Sequence, residues 1–356
     1  MTAPIPALVV GTGFGCRIHV PALRAAGFEV VGLVGNTPDK LARRAQQNGI
    51  AHHFTDLAEA IAATGAKVVT IATPPSTHAA LTLPAIAHGC HVLCEKPFAF
   101  DGAEAQQMLD AAEKAGVFHM VAHEFRWLPD RALFGRAIAE GMIGEPRFLA
   151  MDQFIPFCAD PETPLPKWWF DKALGGGWLG AGGSHLMDQI RAWLGEFKDL
   201  SANLFLVSDR KAEVEDSYSM RFRMESGVEG SMQQTAGAWG PMATLWRCAG
   251  TKGTVWTENG KVLVADKQGT RELEVPADLA LPPPPPAEDA NSSRRMSHFE
   301  IGPFTRLCEA LHAGVAGKPL RSPVPVPTFR DGLASMRILD AMRASAAEGG
   351  ALTAVS

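Results

Sequence analysis

The sequence predicts an α/β protein. An N-terminal doubly wound parallel sheet is followed by a C-terminal α+β domain with a large, mostly antiparallel open sheet. Three observations lead there. Short apolar runs alternate with helix-spaced stretches through the first third of the chain. After about residue 125 the runs lengthen and are separated by hairpin-like turns. The chain has 356 residues, the length of two domains, and the change of rhythm divides it into 1–125 and 126–356.

In the first domain, β-branched and apolar runs at 7–10, 29–34, 67–72, 90–94 and 118–122 read as strands. Helix signals lie between them: a helix over 17–26, one capped by Thr55 or Asp56 through 62, one from Ser76 to 88, and one from Asp101 to 115. Gly89 and Gly116 stand where C′ glycines belong. Short links between such elements mean a parallel sheet, with His52-His53 on a short edge strand. In the second domain, runs at 146–155, 204–207, 217–224, 227–234, 244–248 and 253–257 read as strands. Glu225-Ser226-Gly227, Glu258-Asn259-Gly260 and Lys267-Gln268-Gly269 are the turns. Five prolines at 282–286 form a stiff linker or crossing loop, and 305–316 and 331–347 are helical.

Composition excludes several function classes. Apolar residues make 46% and charged residues 20% of the chain, so disorder is not its theme. A net charge of −5 and a pI near 6.1 argue against nucleic acid as partner. No apolar run approaches the ~18 residues of a membrane span, and the N-terminus lacks the basic and apolar regions of a signal peptide. Six cysteines without a CxxC pair read as reduced thiols. The expectation is a cytoplasmic protein with a small-molecule partner and no metal.

The strand at 7–10 runs into Gly11-Thr12-Gly13-Phe14-Gly15-Cys16 and then a helix. This is a dinucleotide fingerprint with Cys16 in the third glycine slot: Gly11 permits the tight turn, and Gly13 lets a pyrophosphate approach the helix N-terminus. The carboxylate expected about 20 residues later, for the adenosine ribose, is absent; Gly35 fills its slot, with Asn36, Thr37, Lys40 and Arg43 following. Nothing there repels a 2′-phosphate, so NADP(H) is favoured, with NAD(H) the alternative. Thr73-Pro74-Pro75-Ser76-Thr77-His78 and Cys94-Glu95-Lys96-Pro97 follow two further strands, at the sheet edge where such folds bind ligands. His119 and His123 share a strand face without a further ligand cluster. Trp168, Trp169, Phe170 and Trp178 either wall a pocket for a ring-shaped substrate or pack among themselves.

The order and spacing of Gly11–Cys16, Ala72-Thr73-Pro74-Pro75 with His78, Glu95-Lys96-Pro97, Phe125-Arg126-Trp127 with Pro129, Gly175-Gly176-Gly177 leading to Gly183-Ser184-His185 with Asp188, and the segment 327–333 before a helix containing Asp340 resemble the glucose–fructose oxidoreductase / inositol dehydrogenase / rhizopine catabolism (Gfo/Idh/MocA) family across essentially the whole chain. Members pair an N-terminal Rossmann domain with a C-terminal sheet domain that supports dimers or tetramers. The resemblance implies hydride transfer between NAD(P) and a hydroxyl- or carbonyl-bearing carbon of a sugar, cyclitol or related small cyclic molecule. By position, Lys96 contacts the nicotinamide ribose and the reacting oxygen, Glu95 lines the nicotinamide pocket, and His185 is the acid/base. Residues 11–16, Ala72, Thr73, Pro74, His78 and Arg126 join Asn36, Thr37 and Lys40 around the cofactor. The Lys96–Pro97 bond is expected to be cis, and substrate specificity to lie in 154–172 and 239–242. Relatives commonly carry an acid four residues before the histidine, where this chain has Ala181. That departure keeps two alternatives: a tightly held NAD driving elimination, hydrolysis or epimerisation without net redox, and a non-catalytic nucleotide-binding homologue.

Overall fold

The structure, a computed structural model, describes residues 4–281 and 292–356; the proline run lies outside them. The chain divides into two compact units. One comprises Met1–Leu128 with Leu281–Leu333, the other Pro129–Ala280 with Ala334–Ser356.

The first unit holds a six-stranded parallel sheet in the order β3-β2-β1-β4-β5-β6. Its strands are β1 (Ile5–Val10), β2 (Phe28–Val34), β3 (His52–Phe54), β4 (Val68–Ile71), β5 (His91–Cys94) and β6 (His119–Val121). Helices cover both faces, which is why β1 and β4 read as unbroken apolar runs: Ala7, Leu8, Val9, Val68, Val69 and Ile71 are wholly buried. The helices are α1 (Val20–Ala25), α2 (Pro38–Gln47), α3 (Leu57–Thr64), α4 (His78–Ala87) and α5 (Gly102–Ala115). Asp56 and Asp101 cap α3 and α5, accepting the Glu59 and Glu104 amides at 2.8 and 2.9 Å. Ser76 caps nothing. A 3₁₀ turn, Pro75–Thr77, precedes α4, and the Thr77 hydroxyl donates back toward Pro74 O (2.8 Å) and Thr73 Oγ1 (2.7 Å). The helix expected over 17–26 begins earlier, as a π-helical turn over Gly15–His19 leading into α1.

The second unit is built on a nine-stranded sheet, with α6 (Pro129–Ala139) and α7 (Ser184–Leu194). Its strands are β7 (Pro146–Phe154), β8 (Phe197–Phe205), β9 (Ser217–Met224), β10 (Glu229–Thr235), β11 (Ala243–Gly250), β12 (Gly253–Glu258), β13 (Lys261–Asp266), β14 (Gly269–Leu273) and β15 (Thr353–Ala354). The order is β14-β13-β12-β11-β7-β10-β9-β8-β15, antiparallel except for β7 beside β10. The strand expected at 204–207 runs instead from Phe197 to Phe205, since Asp199 and Asn203 broke the apolar signal without breaking the ladder with β9. β14, Gly-Thr-Arg-Glu-Leu, has too little apolar content to signal a strand, whereas β13, with Val262, Leu263 and Val264, is a short apolar run between two recognised turns that the sequence reading left unassigned. Asn259 (φ 51°) and Gly260 (φ 76°) make the primed turn between β12 and β13. On one face Phe134, Trp193 and Trp246 stack at centroid distances of 4.6 and 5.5 Å, with the Arg131 guanidinium over Trp246. The other face leaves Phe148, Phe154 and Leu245 exposed.

The last two helices explain why the division is not two consecutive stretches. α8 (Ser292–Val315) returns to the first unit, where Phe304, Leu307, Cys308 and Leu311 enter the same core as Ile18, Leu23 and Phe28. α9 (Phe329–Ala347) begins among the residues of the first unit, and its remainder belongs to the second.

Candidate active site

The glycine loop leaves β1 with Gly11 at φ +117°, where a Cβ would lie 2.3 Å from Ala72 O; only glycine fits. A Cβ on exposed Gly13 would meet nothing within 4 Å, so the main chain there is open to close approach, as a pyrophosphate on a helix N-terminus requires. Gly15 is closed: its Cβ would meet Val9 Cγ1 at 2.8 Å. Phe14 packs inward against His19 and Phe304.

Gly35 lies against this loop. A Cβ there would meet Thr12 Cγ2 at 2.9 Å and Leu41 Cδ1 at 3.3 Å, so a side chain at this position would displace both. Asn36, Thr37 and Lys40 are exposed, and Thr37 donates to Asn36 Oδ1 at 3.1 Å. Burial raises the Cys16 thiol, opposed by the positive charges of Arg44 and Lys40. Arg44 thus joins Lys40 as a charge felt at the loop, a residue the sequence reading passed over for Arg43.

Beyond β4, Thr73 and Pro74 are held by Thr77. His78 is wholly buried, with its ring nitrogens 2.9 Å from Thr73 O and 3.1 Å from Phe98 O, and burial lowers its pKa. Its role is to tie two loops together. Arg126 is likewise bracing: its guanidinium donates to Asp331 Oδ1 (2.8 Å) and Pro325 O (3.1 Å). His119 Nδ1 accepts the Phe329 amide at 3.2 Å, a structural use, and no metal-holding cluster exists among the described residues.

Lys96 is half-buried, one residue past the end of β5's loop entry, and its bond to Pro97 is cis. Glu95 accepts the Lys96 amide at 3.1 Å through Oε2, while Oε1 lies 3.0 Å from Nε2 of the buried His19. Glu124, 2% exposed, lies close enough to feel Glu95, Lys96 and Glu300. Burial above all, then repulsion from Glu95, holds its carboxyl well above the usual carboxylate range. His19 and Glu300 carried no sequence signal, coming from separated segments, whereas Glu124 follows the strand after which the sequence already places it near the active edge.

In the second unit, His185 is the second residue of α7 and 4% exposed. A π-helical turn over Leu179–Gly183 precedes it, and Ser184 donates to Gly180 O at 2.7 Å. Gly182 and Gly183 are packing glycines, since Cβ atoms there would meet the Trp178 ring at 2.5 Å and the Tyr218 hydroxyl at 2.9 Å. Tyr218 is wholly buried and commits its hydroxyl hydrogen to Gln234 Oε1 at 2.7 Å; burial raises its pKa well above the usual value. No carboxylate stands at Ala181. Glu215, from the β8–β9 connection, instead accepts the Leu179 amide at 3.0 Å, and burial raises its pKa. Trp178 packs against Trp169 (5.3 Å) and Phe157 (5.9 Å), so it belongs to the unit's interior while Trp168 and Trp169 stay half-buried.

Comparison with known proteins agrees with these observations. A family model described as an oxidoreductase family with an NAD-binding Rossmann fold matches residues 5–123, and one for the GFO/IDH/MocA C-terminal domain matches 134–256. Levoglucosan dehydrogenase of Pseudarthrobacter phenanthrenivorans is 30% identical over 242 residues, 61% of this chain and 62% of its own length. D-Apiose dehydrogenase of Paraburkholderia graminis is 32% identical over 224 residues, 62% of this chain and 57% of its own. A solved structure of levoglucosan dehydrogenase in complex with NADH and levoglucosan superposes with a TM-score of 0.84 at 26% identity, covering 99% of each chain.

Proposed function

From the premise that this chain belongs to the GFO/IDH/MocA family of oxidoreductases, we propose that it oxidises or reduces a secondary alcohol or ketone on a sugar, cyclitol or related small cyclic molecule. The single observation carrying this is the glycine loop closed at Gly11 and open at Gly13, on the sheet edge that also ends in Glu95-Lys96. The nicotinamide cofactor, when bound, supplies a hydride acceptor or donor. Lys96 is the residue for the reacting oxygen, where an ammonium stabilises developing alkoxide charge. His185 is the acid/base that takes the hydroxyl proton as the carbon loses hydride, and returns it in reduction. Relatives acting on levoglucosan and apiose support the sugar class. The residues lining the first-unit loop suit NADP(H): no carboxylate at Gly35, exposed Asn36 and Thr37, and the cations Lys40 and Arg44.

Fluorescence titration of nucleotide-stripped protein with NADPH and NADH tests the cofactor reading; tighter NADPH binding is expected, and tighter NADH binding overturns the preference alone. A screen of anhydrosugars, aldoses and cyclitols then tests the reaction. Lys96→Met is expected to lower kcat about 10²- to 10³-fold while leaving nucleotide affinity within a few-fold. A second reading, tightly held NAD without net redox, draws on Ala181 alone; nucleotide that survives desalting and returns to its starting state selects it.

The exposed sheet face of the second unit supports assembly. Phe148, Ala150, Ala249 and Thr254 border a shallow apolar depression with Arg247 stacked over Trp256 at 5.0 Å. A homodimer or homotetramer through this sheet is the assembly proposed, and light scattering of Phe148→Glu against wild type tests it. Six buried, unpaired cysteines support a reducing, cytoplasmic setting. No helix among the described residues is long and apolar enough to cross a membrane.

A further inference from the structure

The helical stretch that carries His185 starts weakly. Its first turn, Leu179–Gly183, is π-helical and includes Gly180, Gly182 and Gly183, residues with little helix preference of their own. Trp178, at its N-cap, offers no side-chain hydrogen bond. Aromatic packing against the glycines leaves the first amides still to be satisfied, since a helix has no internal partner for them. Glu215 supplies that partner from the β8–β9 connection. Its Oε1 accepts the Leu179 amide at 3.0 Å, and its main-chain carbonyl accepts the Trp178 amide at 2.9 Å. Gly177 leaves room for this contact, because a Cβ there would lie 2.8 Å from the Glu215 carboxyl carbon. The hold passes along the turn. Gly177 O accepts the Ala181 amide at 3.0 Å, and the Ser184 hydroxyl donates to Gly180 O at 2.7 Å, one residue before His185. Glu215 is itself on a fixed base. The adjoining Asp216, 3% exposed, accepts the Val207 amide (2.8 Å), the Ser208 amide (3.0 Å) and the Ser208 and Ser217 hydroxyls (2.6 and 2.7 Å). With Ala181 in the turn, residues 179–183 bring no carboxyl of their own; the one that meets these amides comes from another connection.

We propose that Glu215 is a positioning residue for His185: by tethering the Trp178 and Leu179 amides it fixes where the turn begins, and so where the imidazole is presented to substrate. The inference rests on the reading of His185 as acid/base given above. What counts is the reach of the Glu215 acceptor and not its charge. A glutamine at 215 keeps an oxygen at the same distance from the main chain. An aspartate keeps the carboxylate but stops one methylene short of the Leu179 amide, outside hydrogen-bond range. The two conservative variants therefore separate position from charge, and a small error of placement is enough to slow a proton transfer severely.

The test is a carbon–proton correlation spectrum of the full-length protein labelled at histidine Cε1, recorded without substrate or nucleotide. His185 is the sole histidine of the second unit, and its signal is assigned by its loss in His185→Gln. Glu215→Asp is expected to displace or broaden the His185 signal, leaving the signals of the first unit's histidines in place. Glu215→Gln is expected to leave every signal in place. With the sugar or cyclitol best turned over in the screen above, Glu215→Asp should lower kcat about tenfold or more at a KM within a few-fold of wild type, and Glu215→Gln should restore it. A His185 signal unmoved in Glu215→Asp overturns the proposal. So does an equal displacement in Glu215→Gln, a displacement shared by the first unit's histidines, or a displaced signal with unchanged kcat. The spectrum needs no hydride transfer, so the two readings fail separately. A displaced signal in a protein without dehydrogenase activity removes the proposed reaction alone, and an unmoved signal in an active protein removes this inference alone.

Discussion

The glycines at 11–15 and those at 180–183 both lead into a helix, and both do so through a wide π-helical turn. At Gly13 a Cβ would meet nothing within 4 Å; at Gly182 and Gly183 it would strike Trp178 and Tyr218. In the first stretch Gly13 keeps the main chain approachable from outside the protein, between Gly11 and Gly15 that the fold itself crowds. In the second it lets the protein's own aromatic side chains approach. A glycine-rich turn before a helix is thus no evidence of a ligand until the space beside it is known.

Substitutions at these positions sharpen the contrast. Gly11→Ala combines a forbidden φ with a main-chain collision, and should cost more than about 3 kcal/mol in chemical denaturation and abolish nucleotide binding. Gly183→Ala should lower stability by roughly 1–3 kcal/mol through the Tyr218 contact, leaving nucleotide affinity near wild type. Gly13→Ala should do the reverse: an unchanged unfolding midpoint with nucleotide affinity about tenfold weaker, or ~1.4 kcal/mol. A Gly13→Ala protein that unfolds while Gly183→Ala stays intact would erase the distinction.

Each stretch also has a buried carboxyl nearby whose pKa is raised, Glu215 beside the second and Glu300 near the first. Near the first, Glu300 has its pKa raised from 4.5 to about 7 in the folded protein. Such a group contributes stability that is fully present below its unfolded pKa and lost as pH rises through the folded one. Stability should therefore fall between about pH 4.5 and 7, by up to about 3 kcal/mol. In Glu300→Gln that part of the slope should vanish, and denaturant unfolding at pH 5 and pH 8 would expose a slope that persists.

How much was legible beforehand follows from where each signal lies in the chain. The parallel sheet, the Gly11–Cys16 loop and the Glu95-Lys96-Pro97 turn are each local, so period and punctuation revealed them. That Gly35 stands where an acid is expected is plain in the sequence; the Thr12 and Leu41 side chains beside it needed the fold. Ser76 looked like a cap because hydroxyls favour that position, yet it lies inside a 3₁₀ turn that Thr77 closes by donating to the Pro74 carbonyl. His78 and Arg126 stood in family positions, and only their carbonyl and carboxylate partners reveal that they brace loops. Glu300 and Glu215 were invisible because their neighbours are far away in sequence. Desolvation, which sets the charge of each, is a property of the assembled core.

One consequence of α8 concerns the making of the protein rather than its action. Phe304, Leu307, Cys308 and Leu311 complete the core around Ile18, Leu23 and Phe28. A ribosome that has finished the sixth strand has therefore delivered every strand of the first sheet but not its last layer. That apolar surface stays uncovered while β7 to β14 are translated, some 10 to 40 seconds at ordinary elongation rates. The nascent chain is thus a client for chaperones over that interval, and the N-terminal half expressed alone would be expected to aggregate where the full chain does not.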